Sequence, residues 1–130
     1  MTNQELSLLA KKSLQNSYAP YSNFKVGAAL LCKSGKVYLG CNVENASFSA
    51  TNCAERTAMF SAIANGEKDF EKIAVVGGKN GEISDFCTPC GVCLQVLSEF
   101  CEKDFEIVLD NGKELKSYSL KQLLPNSFEM

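Results

Sequence analysis

The run Lys72 to Gly77, KIAVVG, constrains the fold more than any other segment. It is short and almost continuously apolar, the pattern of a strand covered on both faces, so other layers must pack above and below it. Candidates for those layers flank it in sequence. Thr2 to Asn16 reads as a first helix, because Thr2 and Glu5 have capping-box spacing and Leu6, Leu9, Ala10 and Leu14 share a face. Pro20 disfavours helix in the residue before it and is expected to end that segment. A second helix is expected from Asn52 or Cys53 to just before Gly66, a natural C-terminal cap. Ala58, Met59, Ala62 and Ile63 form its buried stripe. A third runs from about Cys90 to Cys101, with Pro89 in its first turn and Val96, Leu97 and Phe100 pointing inward.

Four further strands complete the set. Lys25 to Cys32 and Lys36 to Cys41 are joined by a turn at Lys33 to Gly35. Phe105 to Leu109 and Glu114 to Tyr118 flank the turn signal Asp110-Asn-Gly-Lys113. This order specifies an α/β fold of three layers, a mixed five-stranded sheet with helices on both faces. The alternating middle section is expected to bring parallel strands together, after an antiparallel hairpin at the start. With no repeat or linker, residues 1–130 read as a single domain. Its hydrophobic content of 45% suffices for a core without disulfide staples.

Charge and cysteine usage narrow the functional classes. The chain has 13 basic and 15 acidic residues, and it has no basic stripe of the kind that neutralises phosphates. Nucleic acid is therefore not an expected partner. Nor is a membrane, since the apolar stretch Val26 to Cys32 is far too short to span one. The N-terminal MTNQELSLLAKKSLQ does not read as a signal peptide, so a cytoplasmic address is expected. There, an odd set of seven cysteines points to metal ligands or catalytic thiols rather than to a disulfide framework. The chain has no histidine, which removes Ser-His and Cys-His catalysis and any histidine ligand. A domain this small leaves little room for a deep pocket beside its core, which favours assembly with other copies.

Two cysteine-bearing helix starts carry the chemistry, Thr51-Asn-Cys-Ala-Glu-Arg56 and Thr88-Pro-Cys-Gly-Val-Cys93. Cys90 and Cys93 lie three apart on a first helical turn and can reach one metal, with Cys53 as a third ligand. Helix N-termini favour the thiolate form that a metal requires. Three protein ligands on a tetrahedral zinc leave one position for water, the arrangement of a catalytic site. Glu55 can share that site with Cys53 if the metal sits off the helix end, where its carboxylate can move protons. Arg56 can donate to the thiolates and offset a negative charge that would otherwise make the water a poorer acid. The same spacings admit other readings. Cys87 could complete a structural four-cysteine zinc. Alternatively, Cys87, Cys90 and Cys93 could open an iron-sulfur motif, although position 97, where a fourth cysteine would stand, is Leu97.

The CAER at 53–56 together with PCGVCLQ at 89–95 resembles the signature of the zinc nucleoside deaminases. YAPYSNFKVGAAL at 18–30, GCNVENASFS at 40–49 and LLPNSF at 123–128 are similar to segments of the small homotetrameric cytidine deaminases. The resemblance implies hydrolytic deamination of free cytidine and 2′-deoxycytidine to the uridine nucleosides, with release of ammonia, as in pyrimidine salvage. It implies one zinc per chain, held by Cys53, Cys90 and Cys93, and Glu55 as the proton shuttle. It maps a substrate pocket onto Phe24, Asn42, Glu44 and Ala54. It also implies a homotetramer in which Phe48 and Phe128 complete pockets across subunit contacts. Independently of the resemblance, Asn42 and Glu44 lie two apart on an extended segment and share a face, able to grip a ribose hydroxyl or simply to form a turn.

Two positions depart from the family pattern. Leu94 stands where an arginine usually follows the second cysteine of PCxxC, which leaves Arg56 to balance the thiolates alone. Phe48 replaces a common tyrosine and removes a hydroxyl. Three rivals stay open at this point: a related aminonucleoside deaminase, such as one acting on blasticidin S, a structural-zinc interaction module, and an iron-sulfur carrier.

Overall fold

The chain runs α1 (Asn3–Leu14), β1 (Phe24–Cys32), β2 (Val37–Cys41), α2 (Ala54–Ala64), β3 (Phe70–Lys79), α3 (Gly91–Phe100), β4 (Glu106–Asp110), β5 (Leu115–Ser119) and α4 (Leu120–Leu123). This computed structural model describes all 130 residues. The five strands form one sheet in the order β2-β1-β3-β4-β5, with the KIAVVG run inside its central strand.

Side-chain alternation divides the core into two. Odd positions of β1, Ala29 and Leu31, face α1 with Ala74, Val76 and Val108 and meet Leu6, Ala10 and Leu14. Even positions, Ala28, Leu30 and Cys32, join Ile73, Val75, Ile107 and Leu109 under Ala58, Met59 and Ala62 of α2 and Leu94 and Leu97 of α3. A strand packed on both faces cannot alternate polar and apolar, which is why β3 reads as continuous hydrophobicity. Three layers result, as the pattern required. The caps also agree with it. Thr2 and Glu5 form a reciprocal capping box. α2 ends in a Schellman motif, in which Gly66 at φ 90° donates to Ile63 O and Glu67 donates to Ala62 O.

The expected antiparallel hairpin at the start and a parallel pair in the middle section are both present, and the strand order, which the pattern leaves open, is the new element. β2 and β3 run in the same direction, but both pair antiparallel with β1, which lies between them. Only β3 and β4 are parallel neighbours. The α2 crossover therefore skips a strand, a choice that hydrophobic periodicity does not encode. Helix ends shift as well. α1 stops at Leu14, well before Pro20, because the chain turns to pair Tyr18 with the segment around Val43. Pro89 lies just outside α3, whose cap is Cys90. Phe100 is 40% exposed rather than inward, because Leu94 and Leu97 form the core-facing stripe of α3 and Cys101, not Phe100, continues it. Of the cysteines outside the motifs, Cys32 is buried, whereas Cys41 and Cys101 are only half-buried.

One polar cluster ties α1 to the far hairpin. Buried Asp110 accepts from Ser7 Oγ at 2.6 Å and from the Gly112 amide at 2.7 Å, and pairs with Lys11 Nζ at 2.9 Å. Burial alone would raise its pKa, but these donors outweigh it and hold the carboxyl below its ordinary value. The folded state therefore binds this proton less readily than the unfolded chain, so the cluster stabilises fully above the unfolded pKa of about 3.9 and is lost as pH falls below it. Asp110→Asn should cost about 1–3 kcal/mol at neutral pH. In urea titrations, the gap between the variant and the parent protein should close as pH is lowered below about 4.

Candidate active site

Two helix N-termini meet at one end of the sheet. α2 can approach because Gly40 lies beneath it: a Cβ there would sit 2.3 Å from Ala54 O and 2.5 Å from Ala58 N. Cys53 is the N-cap of α2, with extended backbone at φ −79° and ψ 157°, and its side chain makes no capping bond. Cys90 is the N-cap of α3, and its Sγ accepts from the Cys93 amide at 3.5 Å. Cys93 is the third residue of that helix. Because Cys53 precedes the helical turn that carries Glu55, both side chains reach the same space despite being only two residues apart.

The three sulfurs lie within 4.8 Å of one another, with Cys53 and Cys90 4.0 Å apart. A tetrahedral zinc with Zn–S bonds of about 2.3 Å needs sulfurs about 3.8 Å apart, so this set fits the ion with little adjustment. Burial grades from Cys93 inside through Cys53 to exposed Cys90. Arg56 Nη2 donates to Cys53 Sγ at 3.2 Å, while its buried Nε has no partner. A hydrogen bond from Cys93 and the Arg56 guanidinium hold the Cys53 thiol down to about 5, and the same pairing pushes Cys93 up. Deprotonation thus begins at Cys53, beside the one available cation. Leu94 is buried in the core under α3 and adds nothing polar to the site.

Glu55 is only 4% exposed, and burial, followed by the Cys53 charge, pushes its carboxyl up to about 7. It lines a cleft of about 290 Å³ together with Cys53, Ala54, Cys90, Phe24, Asn42 and Glu44. Phe24 is 40% exposed and turned to the cleft rather than to the core. Gly77 makes room for it and for Cys87, since a Cβ there would lie 3.1 Å from the Phe24 ring and 2.8 Å from Cys87 Sγ.

Asn42 and Glu44 follow β2 on extended backbone, either side of the bridge residue Val43. Asn42 Nδ2 donates to Phe24 O at 2.8 Å, and its Oδ1 accepts from Val26 N at 2.9 Å and from Ser17 Oγ. One Nδ2 hydrogen is left for a ligand. Glu44 Oε1 accepts from the Tyr21 and Ser22 amides at 2.9 and 3.1 Å, and Oε2 from Ser22 Oγ at 2.5 Å. These bonds, Ser22 Oγ foremost, hold the Glu44 carboxyl below its ordinary value.

Sequence reasoning passed over Ser22, Thr51, Asn52 and Thr88, which also line the cleft. Ser22 carried a signal, a serine two residues before a strand entry, where its hydroxyl can bond the chain two residues on. Cys87 lines the cleft but stands outside the three-sulfur group, and burial pushes its thiol up to about 12. Phe48 and Phe128 are 79% and 69% exposed and do not reach this cleft within the chain. Phe48 sits edge-on to Tyr21 with centroids 6.4 Å apart, and the Phe128 backbone is held by Gln95.

Comparison with known proteins gives one family. Residues 1–109 match the family model described as the cytidine and deoxycytidylate deaminase zinc-binding region. A cytidine deaminase from Sporosarcina psychrophila is 44% identical over 126 residues, covering 96% of this chain and 90% of that protein. The crystal structure of cytidine deaminase from Burkholderia pseudomallei superposes with a TM-score of 0.91 at 49% identity, covering 98% of this chain and 100% of that one. A blasticidin-S deaminase from Bacillus cereus is 33% identical over 104 residues, covering 77% and 74%.

The three-sulfur geometry makes a testable distinction among the cysteines. Purified protein should carry about one zinc per chain by mass spectrometry of the metal. Cys53→Ala or Cys90→Ala should lose most of it, whereas Cys87→Ala should retain it.

Proposed function

We propose, on the premise that this chain belongs to the cytidine and deoxycytidylate deaminase family, that it hydrolyses free cytidine and 2′-deoxycytidine to uridine and 2′-deoxyuridine, releasing ammonia. The observation that carries this reading is the convergence of a buried, proton-holding carboxylate and a three-sulfur metal seat on one nucleoside-sized cleft. Cys53, Cys90 and Cys93 would hold a zinc ion, which would supply Lewis acidity toward a water molecule.

Glu55 does the proton work. With its pKa near 7, the carboxyl exchanges protons readily at neutral pH. It takes one from the attacking water to the pyrimidine ring nitrogen, where it stays. It then carries the second, from the hydroxyl now on the ring carbon, to the amine, which leaves as ammonia as the C–N bond breaks. Phe24 gives the ring an apolar wall, and the first turn of α2 at Ala54 lies at the base of the cleft. Asn42 has one hydrogen to give and Glu44 is an ionised acceptor, so together they suit a sugar hydroxyl, which both accepts and donates. Arg56 offsets the thiolate charge. Cys87 outside the sulfur group supports a seat with a position for water over a closed four-cysteine site.

The working unit is a homotetramer of single-domain chains. The support is an exposed aromatic set, Phe48 and Phe128 among it, that does not reach the cleft of its own chain and is open to a neighbouring copy. Seven free cysteines, including a thiolate metal seat, suit a reducing cytoplasm. No helix is long and apolar enough to cross a membrane. The chain's role is then the salvage of pyrimidine nucleosides.

Two experiments test this function. Ammonia release from cytidine should be readily measured, and Glu55→Gln should lower kcat by roughly 10²–10⁴ with zinc retained. If the parent protein deaminates blasticidin S but not cytidine, the substrate assignment is wrong. Sedimentation at assay concentration should show a tetramer. Phe128→Ala should reduce cytidine turnover while the chain stays folded, and an active monomer would contradict shared pockets.

A further inference from the structure

The Glu44 carboxylate is held in place by a device in the loop before β1. Tyr21 and Ser22 present their amides to Oε1, and Ser22 adds its hydroxyl to Oε2. The same Ser22 Oγ accepts from the Phe24 amide at 3.0 Å. That amide can only donate, so the serine's single hydrogen is free to point at Glu44, and its direction is set by the backbone. The loop itself is locked. Asn23 between them adopts φ 58°, a left-handed conformation that asparagine tolerates. Its amide donates to Ala19 O at 3.0 Å, and its carbonyl accepts from the Asn80 amide at 2.6 Å. Glu44, by contrast, stands on an exposed segment beyond the end of β2 and has a long, flexible side chain.

We propose that Ser22 is a positioning residue for sugar recognition: its hydroxyl, bridging the Phe24 amide and the Glu44 carboxylate, fixes the acceptor that receives a substrate hydroxyl. This rests on the deaminase reading of the cleft. Three donors already occupy Glu44, leaving about one of its four acceptor positions free, and Ser22 determines which one. An alanine at 22 keeps both amide bonds to Oε1 but releases Oε2, so the carboxylate can turn away from the sugar. It also leaves the Phe24 amide without its partner, at the residue that walls the base. One serine thus couples the base-binding and sugar-binding sides of the cleft. Ser22 is exposed, so its replacement should not compromise folding.

The test is calorimetric titration of the zinc-loaded protein with uridine and with 2′,3′-dideoxyuridine, alongside cytidine kinetics. Ser22→Ala should weaken uridine binding and raise the KM for cytidine about tenfold, with a smaller effect on kcat. Binding of the dideoxy analogue should weaken far less, because it offers Glu44 no hydroxyl. Ser22→Thr, which keeps the hydroxyl, should restore most of the loss. In a Glu44→Ala background, Ser22→Ala should add little. Equal weakening for both ligands, no weakening for either, or an undiminished effect without Glu44 would overturn the proposal. Uridine binding without any cytidine turnover would instead overturn the deaminase reading, while the ligand ratio still decides the role of Ser22.

Discussion

Everything at the site depends on how closely the backbone of α2 rests on β2. Gly40 leaves no Cβ between them, and any side chain there would run into Ala54 O and Ala58 N. On the opposite face Gly27 does the same under α1, where a Cβ would lie 2.1 Å from Ala10 O. The two helices are thereby seated at fixed heights on either side of the sheet. The seat under α2 sets the position of Cys53 and Glu55, because one caps its N-terminus and the other stands in its first turn. A shift of even an ångström at Gly40 would carry Cys53 away from Cys90 and Cys93, which stand on a different helix. Interiors are packed densely enough that such shifts are not absorbed locally.

The electrostatics follow from the same convergence. Two helix N-termini point partial positive charge at three sulfurs, and Arg56 adds a full charge. With Leu94 in the core rather than a second cation beside the thiolates, Arg56 stands alone, and its unpartnered Nε shows that its guanidinium is only partly satisfied. Glu55 lies in the apolar interior of this arrangement, which raises its proton affinity toward neutrality. One sulfur of the three-cysteine group and the buried Glu55 carboxyl are thus placed at one helix start, and the cleft beside them is walled by residues from the β1 entry and the β2 exit.

Much of this was legible in the sequence because it is written in local patterns. The continuous apolar run of β3, the Thr2–Glu5 box, Gly66 and the cysteine spacings each report on residues a few positions away. What was not legible involves distant pairings. Nothing in the periodicity of β2 or β3 states that β1 lies between them. Phe100 has the apolar spacing of a core residue but stands off the stripe that Leu94, Leu97 and Cys101 turn to the core. The termination of α1 depends on a bridge to Val43 and not on Pro20. Phe24, in isolation a core residue, faces the cleft because Gly77 and the left-handed Asn23 turn it there. Asn42 and Glu44 were recognisable as a pair sharing a face, yet most of their hydrogen-bonding capacity is spent within the protein, on Ser17, Ser22 and nearby backbone.

X-ray absorption at the zinc edge of the purified protein goes to the heart of the matter, because it counts the atoms around the metal. Three sulfurs at about 2.3 Å and one light atom at about 2.0 Å are the expected result, the signature of a seat with a position for water. Four sulfurs would mean that Cys87 closes the site, and the chemistry assigned here to Glu55 would have no place to occur.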